Sequence, residues 1–93
     1  MRHIDRSTNF KRQFKLMVKR GKNDIHLQKI VFALAQDIPL PAANRDHALS
    51  GKFAGFRECH IQPDWLLIYK KSPSNDGLGI LSLEETGTHS DLF

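Results

Sequence analysis

His47, His60, Asp64 and His89 are the side chains of this sequence best suited to moving protons. An imidazole gains and loses a proton near neutral pH, so it can serve as acid or base. A carboxylate can serve as base or hold an imidazole in place. Cleavage of RNA needs little more. A base removes the 2′-OH proton, an acid protonates the leaving 5′-oxygen, and a cation or oriented donors stabilise the charged phosphorane. Such chemistry requires no metal, so the domain that performs it can be very small. His47 follows Arg45-Asp46 in a predicted loop, and His60 closes a predicted strand. Asp64 follows Pro63 in a tight link between strands, and His89 lies in the tail. Strand ends and loops are where functional side chains gather on a small scaffold.

Each of these residues also has a simpler reading. A solitary loop histidine is usually just solvated, and spacing alone does not show that three of them converge. A zinc site from His47, His60 and His89 is the rival chemistry. None of them forms a compact ligand motif, and His26 has Ile30 at the helical i+4 position, so neither metal nor cofactor is expected. Trp65 either stacks on a base or fills the core beside Leu66 and Ile68, the default for a strand tryptophan, and Tyr69 has the same two readings. Phe93, the last residue of the sequence, packs back onto the sheet or stacks on a nucleobase. Cys59 reads as a small core-facing residue rather than a nucleophile. Gly51 and Gly55 lack phosphate-loop spacing and read as turn glycines.

The elements that must position these groups follow from periodicity. Residues 2–5 read as a short strand. Ser7 or Thr8 can cap a helix whose Phe10, Phe14, Met17 and Val18 form one stripe, with Lys11, Lys15 and Lys19 on another face and Gly21 as its stop. Asn23 or Asp24 starts a second helix with Leu27, Ile30, Val31 and Leu34 as its apolar stripe, ended by Ile38-Pro39-Leu40-Pro41. Two amphipathic helices joined by one short turn form an antiparallel hairpin. From residue 47 the period changes to two. Residues 56–61 alternate, with Phe56, Glu58 and His60 on one face and Arg57, Cys59 and Ile61 on the other; 65–71 and 79–85 give two more strands around the turn-rich link 72–77. The expected fold is α+β: a helical hairpin packed on one face of a small, mostly antiparallel sheet, with the other face free for a ligand.

Ninety-three residues make a single domain, 1–93, large enough for one core without staples. One cysteine excludes an internal disulfide framework, which fits a reducing, cytoplasmic setting. No apolar run reaches the ~20 residues of a membrane span, and the first residues lack the apolar stretch of a signal peptide, so no membrane association is expected. The net charge of +4 is unevenly placed. Residues 1–22 carry eight basic side chains against Asp5 alone, whereas the rest carries six basic and nine acidic. A basic first quarter suits a polyanion or an acidic partner segment; it also suits a plain solvated helix face.

Three strings of residues carry a resemblance. They are Asp46-His47-Ala48-Leu49-Ser50-Gly51, then Gly55-Phe56-Arg57-Glu58-Cys59-His60-Ile61 continuing through Pro63-Asp64-Trp65-Leu66-Leu67-Ile68-Tyr69, then Thr86-Gly87-Thr88-His89-Ser90-Asp91-Leu92-Phe93. Over residues 45–93 the chain resembles YafQ-type toxins of the RelE/ParE superfamily, and the order strand, helical hairpin, three strands agrees with that RelE-like, microbial ribonuclease-type fold. The resemblance implies the toxin of a type II toxin-antitoxin pair, an endoribonuclease that cuts mRNA in the ribosomal A site without a metal and arrests translation. It implies a DinJ-like or RelB-like antitoxin as partner, the ribosome and mRNA as targets, and operator DNA reached only through the antitoxin. It makes His47, His60, Asp64 and His89 the proton-transfer and orienting set, with His89 preferred as acid, Asp64 or His60 as base and His47 near the phosphate. Trp65 and Phe93 become substrate contacts, with Arg57 and the Lys11, Lys15 and Lys19 face as further RNA-binding groups. Glu85 departs from the family, which has an arginine on the scissile phosphate at that position. A carboxylate would repel the phosphate, so either Arg57, Lys70 or Arg45 substitutes or the toxin is weakened. The alternative reading is a non-catalytic module of the same fold, acting through ribosome or RNA binding or as antitoxin partner and co-repressor.

Overall fold

The computed structural model describes residues 1–93. The chain opens with strand β1, His3–Arg6, and Ser7 then turns it into helix α1, Thr8–Lys19. The Ser7 hydroxyl accepts from the Phe10 N–H at 2.9 Å, satisfying one of the free donors of the first turn, a cap worth about 1 kcal/mol. Arg20 caps the other end, and Gly21 follows with φ 94°, a left-handed turn that favours glycine. Asn23 caps α2, Asp24–Ala35, through its side chain and the Ile25 N–H. This helix ends before Ile38, where the left-handed Asp37 (φ 59°) turns the chain ahead of Pro39.

Strands β2, His47–Ala48, β3, Arg57–Gln62, β4, Trp65–Ser72, and β5, Ile80–Gly87, complete a five-stranded sheet in the order β1-β5-β4-β3-β2. β1 runs parallel to β5 and every other pair is antiparallel. A four-residue helix α3, His89–Leu92, ends the chain. His47 therefore lies in a short edge strand rather than the predicted loop. The two-residue pairing of His47 with Glu58 and Ala48 with Arg57 is too short to show as a period.

One core joins the helices to the sheet. Phe10 and Met17 of α1 and Leu27, Val31, Leu34 and Ala35 of α2 pack with Cys59, Ile61, Trp65, Leu67, Tyr69, Leu81 and Leu83. Each large apolar side chain buried this way contributes roughly 1.5–3 kcal/mol. Burial also pushes the Cys59 thiol up to about 12, so it stays protonated and inert at neutral pH. The opposite sheet face is partly covered and partly open: Leu66 and Ile68 alternate away from the helices and are fully buried, whereas His60 on the same face lines a cleft. No helix is long and apolar enough to cross a membrane.

A bulge near the end of β5 decides which way Glu85 points. Ile68 pairs with Glu85 but Tyr69 with Leu83, which leaves Glu84 as the extra residue. The Ser7 hydroxyl donates to the Glu84 carbonyl at 2.6 Å, and the Gln13 side-chain oxygen accepts from the Thr86 N–H at 3.0 Å. Helix α1 thus satisfies the part of β5 that β1 is too short to cover.

Candidate active site

Strand β5 delivers His89. Its last residue leads to Thr88, which caps α3 in a reciprocal box: the Asp91 N–H donates to the Thr88 hydroxyl, and the Thr88 N–H donates to the Asp91 carboxylate. Arg20 grips the same carboxylate with two nitrogens, at 2.7 and 3.3 Å, and together with the cap holds the Asp91 carboxyl down at about 2. The short helix is thereby tied to the end of α1. From the link between β3 and β4, Asp64 Oδ1 accepts the His89 N–H at 3.1 Å and lies 2.8 Å from His89 Nδ1. The contacts with His89 hold the Asp64 carboxyl below the usual carboxylate range.

His60 arrives on β3. Its ring meets that of His89 edge-on, with centroids 5.5 Å apart and planes at 65°. Its carbonyl accepts from the Asn44 side chain at 2.7 Å, which pins the turn at Ala42–Asn44 against the strand. Arg45 follows in a left-handed conformation, φ 48°, uncommon for a residue with a side chain. His60, His89, Asn44, Arg45, Gln62 and Pro63 are among the residues that line a cleft of about 450 Å³.

His47 stands one step away. Its Nδ1 lies 2.6 Å from the Arg45 carbonyl, which can only accept, so Nδ1 carries the proton. Its Nε2 lies 3.7 Å from Glu58 Oε1, and His60 Nε2 lies 3.8 Å from the same oxygen. Glu58, 5% exposed, is therefore a nearly buried carboxylate between two imidazoles. Strand alternation places Glu58 and His60 on one face but by itself gives Glu58 no role. The i, i+2 carboxylate–imidazole spacing is the signal that points to one.

Two expected substrate contacts are corrected. Trp65 is fully buried and its indole N–H donates to Thr86 Oγ1 at 2.9 Å, so no ring face is open to a base. The Thr86 hydroxyl donates in turn to the Leu66 carbonyl, and the tryptophan's role is packing. Arg57 pairs across the strands with Tyr69, on the helix side of the sheet and away from His60. Its guanidinium donates to Asp46 at 3.1 Å, and the Tyr69 hydroxyl donates to the same oxygen at 2.6 Å. This clamp anchors the segment that carries Arg45 and His47. Burial, together with that bond, pushes the Tyr69 phenol up.

Glu85 does not line the histidine cleft. The bulge removes it from the inward parity of Leu81 and Leu83, and Thr86 takes the buried position instead. Its carboxylate accepts from the Gln13 side-chain amide at 3.3 Å and faces a depression lined by Arg12, Gln13, Leu16 and Asp91, among others. Of the cations proposed to replace an arginine there, Arg45 is the one on the cleft. The Lys11, Lys15 and Lys19 side chains share one face of α1, as predicted, in a depression they line with Thr8, Arg12 and Leu16. Arg12 and Leu16 border both depressions, so the lysine face runs on to Asp91 of α3. Phe93 is exposed, one helical turn beyond His89, with its N–H donating to the His89 carbonyl at 2.9 Å.

A small α+β domain that brings two imidazoles, a carboxylate bound to one of them and an arginine together has the groups that acid–base cleavage of a phosphodiester uses. Residues 2–93 match the family described as "Bacterial toxin of type II toxin-antitoxin system, YafQ", and the chain belongs to that family. It is 39% identical over 93 residues to the mRNA interferase toxin YafQ of Escherichia coli K12, covering 99% of this chain and 96% of that protein. The fold is similar to the toxin in the E. coli DinJ-YafQ complex, with a TM-score of 0.85 and 38% identity over 100% of this chain and 99% of that one. It is also similar to a metal-bound toxin from Helicobacter pylori, with a TM-score of 0.87 and 39% identity over the whole of both chains.

Proposed function

We propose that this protein is an mRNA interferase that cuts mRNA in the ribosomal A site and is silenced by a DinJ-like antitoxin in the cytoplasm. The observation that carries this reading is the pairing of His60 with His89 at one cleft, His89 being fixed by Asp64. Asp64 is bound to His89, which suits it to orient that imidazole rather than to act as base. His60 then takes the 2′-OH proton. The 2′-oxygen attacks phosphorus, the bond from phosphorus to the 5′-oxygen breaks, and the His89 imidazolium protonates that oxygen, leaving a 2′,3′-cyclic phosphate and a 5′-OH. Arg45 offsets the charge of the phosphorane, and Glu58 holds His60 and His47 in place through the charge between them. Because Gln13 holds the Glu85 carboxylate on the α1 side, the loss of the family's arginine at that position puts no anion against the phosphate and leaves Arg45 as the arginine that lines the cleft.

The reading includes no metal, since every proton has a side chain to carry it. The metal-bound Helicobacter relative makes metal the rival to test. The experiment is translation in vitro with added protein, followed by primer extension on the mRNA. Cuts within A-site codons, unchanged by a chelator selective for transition metals, are expected. Uncut mRNA, cuts without ribosomes, or cleavage restored only by added zinc would contradict the reading.

A further inference from the structure

The 49–56 segment carries an aromatic group that the histidine chemistry does not use. The Phe53 ring meets Phe93 with centroids 6.1 Å apart and planes at 74°, and meets Phe56 at 6.4 Å and 86°. Lys52 Nζ lies 5.2 Å from the Phe53 ring centre, and Lys70 Nζ lies 5.5 Å from that of Phe56. These distances are within reach of a cation–π attraction. None of the three rings belongs to the core, and Phe93 is 64% exposed. Edge-on packing uses one ring face at each contact, and the half-buried Phe53 and the exposed Phe93 form a corner that is open to solvent on the Phe93 side.

The corner is built from the two segments that bring in catalytic groups. Phe93 is held one turn from His89 by its N–H bond to the His89 carbonyl. Phe53 sits in the turn Gly51–Phe53 just after β2, which carries His47, and the bond from the Leu49 N–H to the Phe56 carbonyl closes that loop at 2.9 Å. Aromatic faces flanked by ammonium groups are the features that single-stranded nucleic acid takes, with bases stacked on rings and phosphates near cations.

We propose that Phe53 and Phe93 form a nucleobase-stacking corner beside the histidine cleft, which holds the base of a nucleotide next to the scissile phosphate while Lys52 and Lys70 attract the flanking phosphates. The proposal rests on the RNA-cleaving reading of the cleft. It adds Phe53 as a base-contacting residue, with Phe56 bracing it.

The test is NMR on protein with labelled phenylalanine and histidine rings, titrated with a 2′-O-methyl trinucleotide that cannot be cut. The ring signals of Phe53 and Phe93 should shift together with those of His60 and His89. Phe53→Leu should weaken binding roughly fivefold or more, the usual worth of one stacked base, whereas Phe53→Trp should keep it. A trinucleotide abasic at the stacked position should still shift the histidines but lose the shift at Phe53. If the histidines respond while Phe53 does not, or if Phe53→Leu binds as wild type does, the aromatic group only clasps loop to tail and the proposal is overturned. If no ring responds, the proposal falls together with the reading of the cleft as an RNA site.

Discussion

Asp64 holds His89 at two points, accepting its backbone N–H at 3.1 Å and facing its Nδ1 at 2.8 Å with the same oxygen. The carboxylate sets both where the ring stands and which nitrogen it presents. With Nδ1 turned to Asp64, Nε2 is the atom available to a substrate.

This relationship predicts that Asp64→Asn keeps the fold but lowers cleavage by roughly 10²-fold or more, as expected when an imidazolium loses its orienting charge. The pH profile gives the sign. His89 holds Asp64 below the usual carboxylate range, so the pair persists above the ordinary carboxylate value of about 4 and is lost as the pH falls through the lowered one. The acid limb of wild-type activity should therefore set in while Asp64 is still ionised. An Asp64→Asn variant with wild-type rate and profile would remove Asp64 from the mechanism.

Arg45 is assigned the phosphorane charge and Glu85 is placed outside the cleft. Arg45→Ala should lower single-turnover cleavage by roughly 10²-fold, the worth of one oxyanion donor, with Arg45→Lys between the two. Glu85→Gln should change the rate less than about threefold. A rate order of Glu slowest, Gln intermediate and Glu85→Arg fastest would mean that residue 85 does reach the phosphate.

Arg20, at the end of α1, holds Asp91 of α3. Asp91→Ala keeps the bond from its own N–H to Thr88 but removes the carboxylate half of the capping box and the ion pair together, and should lower stability modestly. Its carboxyl is held at about 2, so the pair stabilises fully above the unfolded value of about 4 and is lost as the pH drops toward 2. Acid titration of wild type and variant by circular dichroism should show their stabilities converging there. Parallel curves from pH 5 to 2 would deny the pair a role.

Replacing Lys11, Lys15 and Lys19 with Gln should weaken ribosome association and flatten its salt dependence, because fewer counterions are released. Stability should hardly change, as exposed charges contribute little to folding. An unaltered affinity and salt slope would leave this face as solvated surface or as an antitoxin contact.

Much of this architecture is legible in the residues. The stripes of Phe10, Met17, Leu27, Val31 and Leu34 give the hairpin, and the alternation through Cys59, Ile61, Leu67 and Tyr69 gives the sheet face it covers. His60, Asp64 and His89 are identifiable by type and position. Their assembly depends on contacts that no local pattern encodes: Arg20 on Asp91 across 71 residues, Asn44 on the His60 carbonyl, and Ser7 on the bulge at Glu84. The bulge also sets which way Glu85 points, which alternation alone does not give. Trp65 goes to the core because a buried partner for its N–H, Thr86, stands 21 residues away.

The central claim is that His89 gives a proton to the leaving 5′-oxygen. It is tested most directly by single-turnover cleavage of ribosome-bound mRNA with a normal or a bridging 5′-thio linkage at the cut, because a thiolate leaves without protonation. His89→Ala should lose a factor of roughly 10²–10⁴ on the normal linkage and recover most of it on the thio linkage. An equal loss on both, or no loss on either, would contradict the account.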